Sequence, residues 1–218
     1  MLYNSRLASP IGIVCGCLAV LALTACSAKA NTQNPVQAAL KKQLTTANEH
    51  RIDSGAWPMT KTLYRKRESS PLWVNRDGIK RQARVALDVL KQADQHGLEP
   101  KEYAAEWLEE HIQGLDGGLF SKPDPEALAE FDLRLTQAVL AYAGDQLDGR
   151  VEPKDVQELG GKDVYVEPRK ADLVADLNAA VSRGDLDEML ENLIPVHRGY
   201  HQLKALLKDY RDIASRER

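Results

Sequence analysis

The chain has 218 residues, and its 32 acidic and 29 basic side chains give a formal net charge of −3. This mild acidity is spread along the sequence and lacks the clustered basic face of nucleic-acid-binding proteins, so we exclude that class. Without a signal segment, about 190 residues remain, which is enough to bury one full core. We therefore expect one folded domain.

The first 25 residues are typical of a bacterial export signal. Arg6 precedes an uncharged apolar run from Ile11 to Leu23, which is shorter than the roughly 20 residues that a membrane-spanning helix requires. The run ends in Leu23-Thr24-Ala25-Cys26, a pattern that resembles the lipobox of bacterial lipoproteins. We expect cleavage before Cys26 and lipidation of its thiol. A spanning anchor and an ordinary signal peptide are the alternatives.

The cysteines also bear on chemistry and location. Cys15 and Cys17 fall in the segment to be removed, so the mature chain keeps only Cys26 and forms no internal disulfide. A lipidated sulfur has no thiolate and cannot act as a nucleophile. Many lipoproteins are retained in the inner membrane by an Asp after the lipidated cysteine, but this sequence has Ser27 there. We therefore expect the mature protein to lie on the periplasmic face of the outer membrane. Residues 26–34 predict a flexible tether, and residues 35–218 a helical domain.

Helical periodicity dominates beyond Pro35. The first clear amphipathic helix has charged residues on its other face and is predicted to end at His96-Gly97, before Pro100. Its apolar residues recur every three or four positions: Ile79, Ala83, Ala86, Leu87, Leu90 and Ala93.

A second helix is predicted from Pro100, with Tyr103, Trp107 and Leu108 facing inward, and it ends before the loop Gly114–Gly118. Asp124 and Pro125 then predict the N-cap and first residue of the longest helix, which closes at Asp148-Gly149-Arg150. Its apolar stripe consists of Leu128, Phe131, Leu135, Ala138, Val139 and Tyr142.

The segment from there to Pro168 contains Pro153, Gly160 and Gly161 and predicts an irregular connection, with a short extended piece at Val164–Val166. Three further helices follow in the pattern. Their apolar residues are Leu173, Leu177 and Val181; Leu186, Met189, Leu190 and Leu193; and Leu203, Leu206, Leu207 and Tyr210. The predicted fold is an all-α, single-domain helical bundle with one long irregular connection.

Four stretches resemble a known family, the helical scaffold domain of periplasmic L,D-transpeptidases of the YkuD type, which cross-link peptidoglycan. They are Leu63–Gly78 (LYRKRESSPLWVNRDG), Ala93–Tyr103 (ADQHGLEPKEY), Leu135–Pro153 (LTQAVLAYAGDQLDGRVEP) and Leu193–Arg211 (LIPVHRGYHQLKALLKDYR). The resemblance implies a role in the cell wall. Within it, Pro71 and Gly78 are expected to shape a turn, while Tyr64 and Trp73 bury surface.

In that family a YkuD-type catalytic domain follows, with its nucleophile in a Ser-His-Gly-Cys-like motif. This sequence stops at Arg218 and contains no such motif, so we expect a non-catalytic lipoprotein without a cofactor. It would bind peptidoglycan or scaffold a remodelling partner, such as an L,D-transpeptidase acting in trans. A peptidoglycan hydrolase acting alone and a truncated remnant of a transpeptidase are the alternatives.

Several residues could still form chemical sites. His197 and His201 have the four-residue spacing of zinc ligands, but no Glu stands between them and no third ligand is evident, so we predict no metal. His96 is better explained by the helix dipole at a helix end than by a functional role. The basic stretch Lys61–Arg67 is more typical of a solvated helix face than of a site for anionic polymer.

Acidic and aromatic residues raise the possibility of a glycan site. A glycosidase needs two carboxyl groups in defined apposition, and the candidates are Glu106, Glu109, Glu110, Asp145 and Asp148. No glycosidase motif surrounds them, and such runs usually line a solvated helix face, so we predict no catalytic residues. Aromatic side chains could stack on sugars but at helical spacing are more often core: Tyr64, Trp73, Trp107, Tyr142, Tyr200 and Tyr210.

Overall fold

The computed structural model describes residues 34–46, 55–116, 122–151 and 169–216, all within the unit that spans Gln33 to Arg218. The described residues form eight α-helices. These are α1 Pro35–Thr46, α2 Trp57–Lys66, α3 Arg81–Lys91, α4 Ala105–Ile112, α5 Pro125–Asp148, α6 Leu173–Arg183, α7 Leu186–Glu191 and α8 Arg198–Arg216. A two-stranded antiparallel sheet, β1 Val74–Asn75 and β2 Gly78–Ile79, pairs Val74 with Ile79. The all-α fold is confirmed.

Helix α5 is the centre of the bundle, and it packs against α1, α2, α3, α4 and α6. The Asp124 carboxylate caps it by accepting hydrogen bonds from the backbone amides of Glu126 and Ala127, both at 3.3 Å. Pro125 follows at the first helical position, and Gly149 ends the helix with a φ of +76°. The sequence prediction for this helix is therefore confirmed at both ends, because its signals are local.

The helix predicted from Ile79 to Ala93 is shorter and more complex. Ile79 lies in β2, and the helix begins only after Lys80. It ends at Lys91 and is followed by a 3₁₀ helix, Ala93–His96, which stops at Gly97 in the left-handed conformation (φ +77°). The predicted end at Gly97 is confirmed, whereas the predicted start at Ile79 is wrong because β-pairing with Val74 takes precedence.

The helix predicted from Pro100 is divided into two parts. A 3₁₀ helix, Pro100–Tyr103, is followed by Ala104 in the left-handed region (φ +52°), and α4 starts only at Ala105. Tyr103 and Leu108 are buried as predicted, but Trp107 is only partly buried. Because the chain changes direction at Ala104, the 3₁₀ helix and α4 pack against the core separately.

Helices α6 and α7 follow the predicted pattern, with Gly184 in the left-handed conformation between them (φ +87°) and both Leu186 and Leu190 buried. The predicted irregular connection and its extended piece at Val164–Val166 lie outside the described residues.

Helix α8 differs from the prediction, because none of its residues is buried. Leu203, Leu206 and Tyr210, which the periodicity placed in the core, are exposed to solvent. Its contacts with the rest of the bundle are mainly with the 3₁₀ helix Ala93–His96. Of the described helices, none combines the length and apolarity that a bilayer crossing demands.

Candidate functional site

Asp132, in the middle of α5, carries a fully buried carboxylate. Its Oδ1 accepts hydrogen bonds from the Tyr64 hydroxyl and from the Leu72 amide at 3.0 Å. Its Oδ2 accepts from the amides of Trp73 at 2.7 Å and Val74 at 3.0 Å. One carboxylate therefore fixes three successive backbone amides and a tyrosine to the central helix. We call this group the Asp132 cluster.

The Asp132 cluster extends to Thr136, one turn along α5. Its Oγ1 accepts a hydrogen bond from the Trp73 indole at 2.8 Å and lies 2.7 Å from the Tyr64 hydroxyl. Burial raises the pKa of Asp132, although its hydrogen-bond donors oppose this rise, and burial also raises the pKa of Tyr64. Because both carboxylate oxygens are engaged by donors of this chain, we assign the cluster to the fold rather than to catalysis.

The carboxylates of α4 lie on its exposed face. Glu109 forms an ion pair with Lys91 of α3, and Glu106 and Glu110 are exposed. This arrangement is that of a solvated helix face, as predicted.

Of the two carboxylates near the end of α5, Asp145 is engaged within the chain. Asp145 accepts a hydrogen bond from the Tyr103 hydroxyl at 2.6 Å, and burial, followed by this bond, raises the pKa of Tyr103. Asp148 is exposed. Asp145 thus faces a tyrosine rather than the second carboxylate that glycoside hydrolysis requires.

The two histidines with zinc-like spacing do not share a helix. His197 precedes α8, and its Nδ1 accepts a hydrogen bond from the Gly199 amide at 3.1 Å, while His201 is exposed on the helix. Within the described ranges, no group of three His, Cys, Asp or Glu side chains is placed to hold a metal ion.

In the basic stretch Lys61–Arg67, the side chains of Lys61, Arg65 and Lys66 are exposed, whereas Leu63 and Tyr64 are buried. Arg67 has a structural role. Arg67 donates hydrogen bonds to the carbonyls of Ser70 at 3.1 Å and Pro71 at 3.0 Å, and to the side chain of Asn178 at 2.5 Å.

The aromatic residues considered as sugar-stacking candidates differ in their burial. The core interpretation is confirmed for the buried Tyr64, Trp73 and Tyr142, and it is wrong for the exposed Tyr210.

A different cluster holds α8 against the body of the domain. His96 Nδ1 lies 2.5 Å from the Tyr200 hydroxyl, and its Nε2 lies 3.3 Å from the Lys204 ammonium. Arg211, two turns beyond Lys204, pairs with the Asp94 carboxylate at 3.4 Å and donates to the Asp94 carbonyl. We call this contact the α8 junction. Nothing in the sequence indicates this contact beyond His96 at a helix end.

Clefts lie on both sides of the α8 junction. One, of about 270 Å³, lies between α3, α7 and α8, and its lining includes Asp187, Glu191 and Lys204. The other, of about 550 Å³, is more apolar and is lined by Leu207, Lys208 and residues of the junction. Charges of both signs beside apolar surface suit the binding of a peptide or protein segment. We take the junction and its clefts as the candidate functional site.

The contacts of His96 predict a pH-dependent junction. Burial and the nearby Lys204 lower the pKa of His96, while Asp94 opposes them. The neutral ring therefore favours the docked helix, and this contribution is present above the ordinary pKa of 6.5 and lost as the pH falls below it. We expect the hydrogen-exchange protection factors of α8 to be higher at about pH 7.5 than at about pH 5.5.

Two variants control this measurement. His96→Gln cannot titrate, so it should remove the pH dependence. His111→Gln, at an exposed histidine of α4, should leave it unchanged. Equal protection of α8 at both pH values in the unmodified chain would contradict the role of His96. Asp187 and Glu191 on α7, which line the smaller cleft, face the same region.

The Asp132 cluster serves the fold, and α8 is a helix without buried residues that is flanked by clefts. A family model described as Scaffold domain matches residues 59–207. The chain therefore belongs to the Scaffold domain family. Searches of curated proteins and of solved structures found no match to the chain.

Proposed function

We propose that this chain is a non-catalytic scaffold of the bacterial cell envelope that holds a peptidoglycan-remodelling partner at the α8 junction. The observation that carries the proposal is the match to the Scaffold domain over residues 59–207, which runs from α2 into α8. The resemblance of four stretches to the scaffold domain of L,D-transpeptidases supports the assignment to the cell wall. A catalytic L,D-transpeptidase domain supplied in trans is the partner to test first.

The geometry supports binding in two ways. The bundle around α5 is rigidly specified, because Asp132 ties the segment Leu72–Val74 to the central helix. By contrast, α8 has no buried residue and leaves clefts on both sides. A rigid body with an accessible mixed-charge cleft can hold a partner without rearranging itself.

The proposal includes a lipid anchor at Cys26 and a position on the periplasmic face of the outer membrane. It rests on the lipobox-like pattern Leu23–Cys26 and on Ser27. Anchoring would confine the scaffold to the membrane surface, where even a weak interaction is strengthened by the high local concentration.

The test combines three measurements on the full chain, two of them in cells and one with purified protein. A photo-cross-linking residue at Gln95, which lines both clefts, should capture an envelope protein that the same residue at Lys41, exposed on α1, does not. Purified protein should leave isolated sacculi unchanged by mass analysis. Cys26→Ala should release the chain from the membrane fraction.

Each measurement can contradict a different part of the proposal. Equal cross-linking at Gln95 and Lys41 would remove the scaffold function. New muropeptides that disappear with Glu106→Gln or Asp145→Asn would establish an enzyme. Membrane retention of Cys26→Ala, with no acyl chains on the mature protein, would remove the lipid anchor and favour a spanning one.

A further inference from the structure

The outward face of α8 carries an unpartnered apolar stripe. Among the described residues, six large hydrophobic side chains are exposed, and five of them lie on or next to this helix. They are Val196, Leu203, Leu206, Tyr210 and Ile213, with exposed fractions from 49% to 94%. Exposed apolar residues scattered singly need no explanation, but the four that lie within the helix form a row on one face, and such a row marks an interaction surface.

The spacing of the stripe indicates what covers it. Within the helix, Gly199 and the four exposed apolar residues are separated by steps of four and three, which is the a and d pattern of a coiled coil. Such a stripe is narrow, whereas helices that lie on a membrane have a broad apolar face. The pattern therefore fits a second helix better than a lipid surface.

We propose that this stripe binds a second copy of the same chain, with the two α8 helices packed as a short parallel coiled coil. The proposal goes beyond the scaffold function, because the stripe and the α8 junction lie on different faces of the helix. Tyr200, Lys204 and Arg211 face the body of the domain, while Leu203, Leu206 and Tyr210 face solvent.

The parallel orientation follows from what lies beside the stripe. Tyr200 and Leu207 occupy the e positions of the heptad pattern, and this flank is the one held against the 3₁₀ helix Ala93–His96. In an antiparallel pair the e flanks of both helices lie on the same side, so the two domain bodies would collide. In a parallel pair each e flank faces the partner's g flank, and the two bodies lie on opposite sides.

The charges beside the stripe permit this pairing. The g positions are Gln202, Asp209 and Arg216. In a parallel pair Gln202 of one copy lies opposite Leu207 of the other, and Asp209 lies opposite Ala214. No like charges meet across the interface, so identical copies meet without electrostatic repulsion.

The size of the stripe sets the expected strength. Covering it on both copies removes on the order of 1,000 Å² from water, which is near the lower limit for a specific interface. The helix of 19 residues is only about 28 Å long. We therefore expect a weak dimer that forms where the chain is concentrated, such as on a membrane surface.

Cysteine cross-linking of the full chain in cells tests both the occupant and the orientation. The only cysteines of the sequence are Cys15, Cys17 and Cys26, so the chain without an added cysteine reports the background. In a parallel pair, identical a or d positions meet at disulfide distance. Leu206→Cys and Tyr210→Cys should each give about tenfold more disulfide-linked homodimer than Lys208→Cys, on the opposite face of the same helix.

A second substitution separates the stripe from any effect on folding. Leu203→Asp, added to Leu206→Cys, should abolish the cross-link while leaving the far-ultraviolet circular dichroism unchanged, since Leu203 is 69% exposed. Leu203→Ile should preserve the cross-link.

Three results would overturn the proposal. The first is cross-linking of Leu206→Cys or Tyr210→Cys no greater than that of Lys208→Cys. The second is cross-linking only between Leu203→Cys and Ile213→Cys chains, which would indicate an antiparallel pair. The third is protection of the stripe only by lipid vesicles or by a different protein. Because the scaffold function is tested at Gln95, either proposal can fail without the other.

Discussion

Replacing Asp132 by Ala is expected to unfold the domain or bring it close to unfolding. The substitution removes the acceptor of the amides of Leu72, Trp73 and Val74 and of the Tyr64 hydroxyl, all in the buried core. Each buried donor left without a partner costs about 1–3 kcal/mol. The combined loss, on the order of 5 kcal/mol, is comparable with the whole stability of a typical domain. Urea unfolding followed by circular dichroism measures it.

Two further variants make this prediction specific. Asp132→Asn keeps one acceptor oxygen but turns an amino group towards amide donors, so its stability should lie between those of the unmodified chain and Asp132→Ala. Asp88→Ala removes an exposed carboxylate from α3 and should leave the unfolding midpoint unchanged. An Asp132→Ala protein that unfolds at the same urea concentration as the Asp88→Ala control would contradict the structural role of the cluster.

The parts of the fold that could be predicted are those with local causes. Asp124, Pro125 and Gly149 define α5 without reference to any distant residue, and the stripe between them is continuous. The start at Ile79 could not be predicted in this way, because its partner Val74 is a strand residue on the other side of a turn. The break at Ala104 is likewise set by how Tyr103 and Leu108 reach the core from two directions.

Asp132 was missed for a related reason. It is a charged residue on the apolar side of α5, next to Phe131 and one turn after Leu128, and both neighbours are buried. A charge in the apolar stripe of a long helix is a signal of a buried polar cluster. The identity of its donors could not be foreseen, because the Leu72–Val74 amides are about 60 residues away along the chain.

The prediction for α8 failed in the opposite way, because apolar residues that were expected to be buried are exposed. Its periodicity correctly predicts a helix, but periodicity shows only that one face is apolar and not what covers it. In the structure the apolar face splits. Leu207 lies 3.9 Å from the Cβ position of Gly97, whereas Leu203, Leu206 and Tyr210 turn away from the body. One part of the apolar pattern therefore attaches α8 to the body of the domain, and the other part remains exposed to solvent.

Two of the four stretches that resemble transpeptidase scaffold domains contain residues of the Asp132 cluster. Tyr64, Trp73 and Thr136 all belong to these two stretches, and all three bond within the cluster. These residues specify how the turn before β1 is attached to the central helix. Residues that specify the fold do not by themselves specify a function, so partner capture at the α8 junction rather than motif matching is the test of the proposed function.

Trp73 provides the second large effect that we expect. It is fully buried, and its indole donates a hydrogen bond to Thr136 Oγ1 at 2.8 Å. Trp73→Ala removes a large packed ring and leaves a cavity, at an expected cost of about 3–5 kcal/mol. Trp73→Phe should cost less, because it keeps most of the packing and loses the indole donor. Urea unfolding by circular dichroism is again the measurement, since fluorescence would report the other tryptophans as well.

Trp107 is the matched control for this prediction. It is only partly buried, on α4, where the Arg134 guanidinium lies 4.0 Å from its ring centroid. A cation–π contact near the surface contributes about 0.5–1 kcal/mol, so Trp107→Ala should destabilise the domain far less than Trp73→Ala. Equal destabilisation by the two substitutions would mean that the core is centred on α4 rather than on the Asp132 cluster. The order Trp73→Ala, Trp73→Phe, Trp107→Ala in decreasing loss is therefore the result that the structure requires.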